Sequence, residues 1–208
     1  MDHPVFDHDG PWTEDAYLGL SRADPPAAPA PDDGRIELVD GALVVGPGAT
    51  RARARVVEAV RGVVEAALPE GLCVTGAVPL RMSTDCVLVP DLVVTRAPAD
   101  GPDAPGPAVL DAADALMVIE VVGADHGAVD RSFKPQLYAR SRIPYSLVVD
   151  HDAGFAVANM IINGRYHDYA HAAAGEVLRI EEPFGLAVDL AAVTAGSAAD
   201  QDSVPASG

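Results

Sequence analysis

The sequence predicts an α/β domain, a mixed β-sheet flanked by helices with extra β-hairpins at its N- and C-terminal ends. Three observations predict it. The segment 50–68, TRARARVVEAVRGVVEAAL, places Val56, Val60, Val63, Val64 and Ala67 on one face at helical spacing. The segment ALMVIEVV, 115–122, is the most apolar run and suits a central strand covered on both faces. The elements also alternate: strand, strand, helix, three β-rich segments, helix, strand, then a β-rich end.

Residues 1–34 read as an acidic extension, disordered or short-helical, in which Thr13 caps a short helix and SRADPPAAPAPDDG is a proline-rich connector. A single domain is expected over 35–194. RIELVDGALVV predicts a hairpin at Asp40-Gly41, since both positions tolerate positive φ. Pro69 ends the long helix, and CVTGAVPLRM and CVLVPDLVVTR supply strands. The Pro-, Gly- and Asp-rich stretch 97–114 reads as an exposed excursion. A helix capped by Asp130 is expected to run to about Ser141, with YSLVVD a buried strand after it. FAVANMIINGRYHDYA predicts a hairpin turning at Asn163-Gly164, EVLRI and LAVDL predict short strands, and 195–208 reads as a disordered tail.

The N-terminus MDHPVFDHDG is acidic where a signal peptide is basic and then apolar, and no apolar run reaches the roughly 18 residues that cross a bilayer. A cytoplasmic protein with no membrane partner is expected. Cys73 and Cys86 lack the spacing of a metal or redox motif and read as reduced core residues. The net charge of −17 disfavours polyanionic partners at long range. Its distribution softens that exclusion: residues 1–45 carry ten acids against two arginines, 143–208 nine against two, and 46–142 twelve against ten bases. Local basic groups stand at Arg51, Arg53 and Arg55 and around Arg131. No phosphate-binding P-loop, dinucleotide fingerprint, zinc cluster or GxSxG elbow is present.

Two acids interrupt apolar strands. Asp91 follows Pro90 in VLVPDLVV, and Glu120 lies within LMVIEVV. A buried carboxylate costs several kcal/mol unless a metal, a cation or hydrogen bonds compensate it. Two of them on neighbouring strands suggest a shared hard cation such as Mg²⁺; a strand-end acid beside an Arg-paired acid is the structural alternative. Lys134 is the only lysine among fourteen Lys and Arg residues. A compact, titratable ammonium suits a tight site in a way a planar guanidinium does not.

In order, WTEDAYLGL, ELVDGALVV, PDLVV, VIEVV, DRSFKPQLYARSRIPYSLVVD, GRYHDYA and LRIEEPF resemble the Uma-type restriction endonuclease-like proteins, a branch of the PD-(D/E)XK nuclease superfamily. The resemblance spans 12–194 and implies a restriction-endonuclease-like sheet in which Asp91 and Glu120 bind Mg²⁺, with Mn²⁺ as a substitute. The superfamily's usual lysine position holds Val122, and the matching lysine of this branch is Lys134, which would orient the attacking water or stabilise charge on the phosphoryl oxygens. Glu37 matches a family acid and reads equally as an auxiliary ligand or a strand-edge residue. Arg51, Arg53, Arg55 and Arg131 are candidates for DNA phosphate contacts.

The chain departs from the family at Gly123-Ala124-Asp125-His126 and Tyr145-Ser146-Leu147, in lacking a histidine near Ala52 and Arg53, and in placing Pro135 after Lys134. The implied function is a Mg²⁺-dependent endonuclease on double-stranded DNA, acting as a homodimer so that two sites address two strands. A catalytically weakened binding or regulatory module, or a hydrolase of another phosphate ester, are the alternatives. For a catalytic lysine, Lys134→Arg and Lys134→Ala are expected to fold and keep metal binding yet lose cleavage, with Arg140→Lys unaffected.

Overall fold

Asp40 and Gly41 take φ of 48° and 76°, the conformation that a two-residue hairpin turn requires and that Asp-Gly tolerates best. They join β1 (Gly34–Val39) to β2 (Ala42–Gly48) in the computed structural model, which describes residues 9–23, 34–48, 50–98, 108–124 and 129–198. Before this hairpin lies α1 (Glu14–Ala23), and after it come α2 (Arg51–Ala67), β3 (Leu72–Gly76), β4 (Leu80–Ser83), β5 (Cys86–Leu88) and β6 (Leu92–Arg96). Then follow β7 (Leu110–Asp111), β8 (Ala115–Val122), α3 (Lys134–Arg140) and β9 (Tyr145–Asp150). The chain closes with β10 (Phe155–Ile162), β11 (Arg165–Ala172), β12 (Val177–Ile180), β13 (Leu186–Asp189) and α4 (Leu190–Ala198).

Three sheets form. The first has the order β2-β1-β5-β4-β7, the second β11-β10-β9-β8-β6-β3, and β12 pairs with β13. The second is mixed: β8 and β9 run parallel, its other neighbours antiparallel. The chain leaves the first sheet after Leu88 and enters the second at Leu92, with Pro90 between them, where a missing amide donor breaks no ladder. That crossing places Asp91 at the junction of the two sheets.

Side-chain alternation along β8 divides the core. Met117, Ile119 and Val121 pack with Val56, Val60 and Val64 of α2 and with Leu190 and Val193 of α4. Val118 faces the opposite side with Leu137 and Tyr138 of α3, Leu80 and Leu88. Glu120 shares the parity of Val118, so the period-2 pattern directs it at α3. Thr50 caps α2, its hydroxyl accepting from the Arg53 amide at 3.2 Å, and Leu68 turns extended ahead of Pro69.

The hairpins at Asp40-Gly41 and Asn163-Gly164, the long helix and the central position of β8 match the sequence reading. Several expectations need correction. Residues 190–198 form a helix whose Leu190 and Val193 are buried, so the tail assigned from 195 does not begin there. Asp130 does not cap α3; its backbone lies inside a widened helical turn, Val129–Phe133, that leads into that helix. The segment 12–23 also belongs to the packed structure: Tyr17 is buried against Leu38 and Val87, and Glu14 pairs with Arg81. Of the expected disorder of 1–10, residues 1–8 lie outside the described residues, as do the connector residues 24–33 and half of the excursion, 99–107; the other half is not exposed throughout, since Leu110 pairs with Leu80 and is buried with Ala112. Among the described residues, no helix is long and apolar enough to cross a membrane.

Candidate active site

Residues two apart on a strand share a face, and β1 uses this to aim Arg35 and Glu37 at the sheet junction. Arg35 donates to the Val89 carbonyl and, at 2.9 Å, to Asp91 Oδ1. Glu37 Oε1 accepts the Val89 amide at 2.7 Å. Arg53 arrives from the first turn of α2: its Nε donates to the Val121 carbonyl at 2.8 Å and its terminal nitrogen to Asp91 Oδ1 at 2.5 Å. Asp91 Oδ2 accepts the Val121 amide at 2.7 Å. The carboxylate thus continues the β6–β8 ladder one step beyond the last strand pair, Leu92 with Ile119.

Glu120 is met from the other side. Tyr138 donates its hydroxyl to Glu120 Oε1 at 2.5 Å, and Lys134 Nζ stands 3.7 Å from the same oxygen. Lys134 also pairs with Glu37 Oε1 at 2.9 Å. Lys134 and Tyr138 are four residues apart and therefore project from one face of α3. Pro135 does not displace the lysine, because it lies in the first turn, where its missing N–H has no helical partner to lose.

Three acids thus face three cations in a space almost closed to solvent: Glu37, Asp91, Glu120 and Lys134 are each 2 or 3% exposed, and Arg53 is 5% exposed. The acids are not equivalent. Burial alone would raise Asp91, but the Arg53 and Arg35 guanidiniums and the Val121 amide more than offset it and hold Asp91 below the usual aspartate value. Burial likewise raises Glu120; Lys134 opposes the rise, the Asp91 charge adds to it, and Glu120 is pushed up to about 7. Tyr138 is driven well above its ordinary value by burial and by the charges of Glu120 and Glu37, so it remains a hydrogen-bond donor.

The structure therefore brings Asp91, Glu120, Lys134 and Glu37 together, and Glu37 is no strand-edge acid. It overturns one expectation outright: Arg53, grouped with surface cations for phosphate, is buried and ion-paired to Asp91. Arg51 and Arg55 are exposed. Arg131 is 38% exposed, donates to the Gly123 carbonyl at 2.9 Å and pairs with the fully buried Asp150 at 2.6 Å. His126 lies outside the described residues. Sequence reading missed Arg35, Tyr138 and the inward turn of Arg53. Their signals are local: Arg35 shares strand parity with Glu37, Tyr138 helix register with Lys134, and Arg53 heads the buried row that continues through Val56, Val60 and Val64.

Among the described residues, no group of three or more His, Cys, Asp or Glu side chains is arranged to hold a metal ion. The donor set still fits a hard cation in kind. A positive group already bridges the Asp91 carboxylate and the Val121 carbonyl, namely the Arg53 guanidinium, and the Glu120 carboxylate is on the next residue back. These are the oxygen donors that Mg²⁺ prefers. A separate cleft of about 550 Å³, lined among others by Cys73, Thr95, Arg96, Leu110 and Asp114, includes none of these residues and opens at the far end of β6 from Asp91.

The family described as Uma2, putative restriction endonuclease, matches residues 23–192. The chain is also similar to the crystal structure of a putative nuclease belonging to DUF820 from Anabaena variabilis ATCC 29413. The TM-score is 0.68 at 12% sequence identity, covering 90% of this chain and 99% of that one. At that identity the likeness shows a shared fold. No curated protein matches the chain.

Proposed function

The chain belongs to the Uma2 family of putative restriction endonucleases, and on that premise we propose that it is a Mg²⁺-dependent endonuclease hydrolysing phosphodiester bonds of double-stranded DNA. The observation that carries the reading is the convergence of Asp91, Glu120 and Lys134, from a strand junction, a central strand and a helix, on one buried charge network. Structural ion pairs do not need three elements and a lysine where every other cation is arginine.

In this reading Asp91 and Glu120 hold the metal, with Mn²⁺ as a substitute, and the Val121 carbonyl is a third oxygen donor. Mg²⁺ held there supplies Lewis-acid stabilisation of the phosphoryl oxygens and lowers the pKa of a nearby water. Lys134 places a small ammonium beside Glu120, where it orients the attacking water or stabilises negative charge developing on the phosphate. Glu37 fixes Lys134 at 2.9 Å, and Tyr138 fixes Glu120 at 2.5 Å. Without metal, burial pushes Glu120 up to about 7, and a cation held by it would keep the carboxylate ionised. Arg131 is half-exposed and held in direction by Asp150 and Gly123, so with Arg51 and Arg55 it is offered as a contact to DNA phosphates. A homodimer working in the cytoplasm completes the picture, one site for each strand of the duplex.

A second reading rests on the charge balance itself. With three cations set against three acids, the fold is also suited to a module that binds without efficient chemistry. Incubating the protein with a pooled set of duplex DNAs and, in parallel, with a small activated phosphodiester separates the possibilities. Cleavage of duplex in Mg²⁺ that stops with chelator supports the proposal. Turnover of the small ester alone favours a different phosphate ester, and no turnover of either favours the binding module.

A further inference from the structure

Asp91 Oδ1 is the most contested atom in the site. Two guanidiniums reach it, Arg35 at 2.9 Å and Arg53 at 2.5 Å, while Oδ2 is taken by the Val121 amide. The two arginines are not alike. Arg35 is anchored on the Val89 carbonyl, which belongs to the chain crossing between the sheets, and its side chain is 22% exposed. Arg53 is anchored on the Val121 carbonyl and its side chain is 6% exposed. Arg53 alone therefore touches two of the oxygen donors assigned above to the metal, the Asp91 carboxylate and the carbonyl next to Glu120.

We infer that the Arg53 guanidinium is a resident cation of the metal site, and that a divalent ion binds there only by displacing it. This deepens the metal-dependent reading and rests on it. Asp91 Oδ1 already receives two guanidiniums, which occupy both of its acceptor sites, so a dication at the 2.0–2.1 Å that Mg²⁺ requires gains a place on that oxygen only when one of them leaves. The Val121 carbonyl is engaged by Arg53 as well. Displacement leaves Asp91 still paired with Arg35, so the apo ion pairs are exchanged rather than abolished. It also returns Arg53 to the first turn of α2, where Arg51 and Arg55 are exposed. A phosphate arriving with the metal would give the released guanidinium a new bidentate partner. The competition makes metal affinity in the free protein weak by construction, and it makes Arg53, rather than the carboxylates alone, the residue that sets it.

The test is Mn²⁺ binding, followed by the electron paramagnetic resonance signal of free Mn²⁺, on wild type, Arg53→Gln, Glu120→Gln and the double variant. Arg53→Gln removes the competing charge while keeping a polar side chain, and should bind Mn²⁺ at least about tenfold more tightly than wild type, which is about 1.4 kcal/mol. Glu120→Gln should abolish binding in either background. Equal Mn²⁺ affinity in wild type and Arg53→Gln, with Glu120 still required, would overturn the inference and leave the metal-dependent reading standing. No Glu120-dependent binding in any form would remove both. A second measurement needs no substitution at the site. In ¹⁵N-labelled wild type, the slowly exchanging Arg53 Nε–H signal should shift or broaden as Mg²⁺ is added. An unchanged signal at saturating Mg²⁺ contradicts displacement even if Arg53→Gln fails to fold.

Discussion

Lys134 Nζ lies 2.9 Å from Glu37 Oε1 and 3.7 Å from Glu120 Oε1, so the only lysine of the chain is clasped between acids from β1 and β8. The sequence alone predicts that Lys134→Ala folds and keeps metal binding. At 3% exposure that expectation gains a cost, because removing the ammonium leaves the buried Glu37 with the Val89 amide but without its cation. Lys134→Ala should lower stability by about 3–5 kcal/mol. Chemical denaturation checks this, and Glu37→Gln in the same chain should restore part of the loss as a positive coupling in a double-mutant cycle.

Lys134→Arg separates a structural from a chemical lysine. The larger guanidinium has to enter a closed space, so a cost of about 1–3 kcal/mol is expected. The folded fraction should keep Mn²⁺ binding and lose about 10²- to 10⁴-fold in cleavage rate. Arg140→Lys, at an exposed position on the same helix, should change neither.

Glu120 and Asp91 should respond to pH with opposite signs in the metal-free protein. The folded pKa of Glu120, about 7, lies above its ordinary 4.5, so the native state holds the extra proton and stability falls as pH rises through that window. Asp91 is depressed, so its contribution is present above its unfolded value and is lost as pH falls through its folded value. Glu120→Gln should accordingly match wild type in Tm near pH 5 and exceed it at pH 8 in chelator. Asp91→Asn, which breaks the buried pair with Arg53 and the partly exposed one with Arg35, should be less stable than wild type at both, by about 3–5 kcal/mol at pH 8.

The end of β8 offers a packing test. A Cβ on Gly123 would come within 2.6 Å of His151 Nε2 and 2.8 Å of Asp152 Oδ2. Asp152 also accepts the Ala124 amide at 2.6 Å. Gly123→Ala should cost about 1–3 kcal/mol, and His151→Ala should relieve much of it; thermal unfolding of the single and double variants measures both.

Most of the fold could be read in the sequence because it rests on local signals. Asp40-Gly41 and Asn163-Gly164 announce their turns, the Val56–Val60–Val64 stripe announces α2, and ALMVIEVV announces a strand buried on both faces. The site was legible where an acid broke an apolar run, at Asp91 and Glu120, and where composition left one lysine standing. What stayed hidden depends on distant segments meeting. Whether Arg53 turns inward is decided by the Asp91 carboxylate and the Val121 carbonyl, 38 and 68 residues away in the chain. Helix α4 was missed although Asp189 marks its start, its Oδ1 accepting the Ala192 amide at 3.1 Å; LAAVTAGSA carries no charged face, and its place comes from packing Leu190 and Val193 against α2.

Glu120→Gln gives the most direct measurement of the central claim, because it removes one charge, keeps the shape and is expected to stay folded. The rate to compare is single-turnover cleavage of a pooled duplex DNA set by wild type and by Glu120→Gln in saturating Mg²⁺ at neutral pH. The account predicts Mg²⁺-dependent cleavage by wild type and a loss of at least about 10²-fold in the variant. Equal cleavage by both forms would contradict it, and no cleavage by wild type would leave the buried network as the core of a binding module.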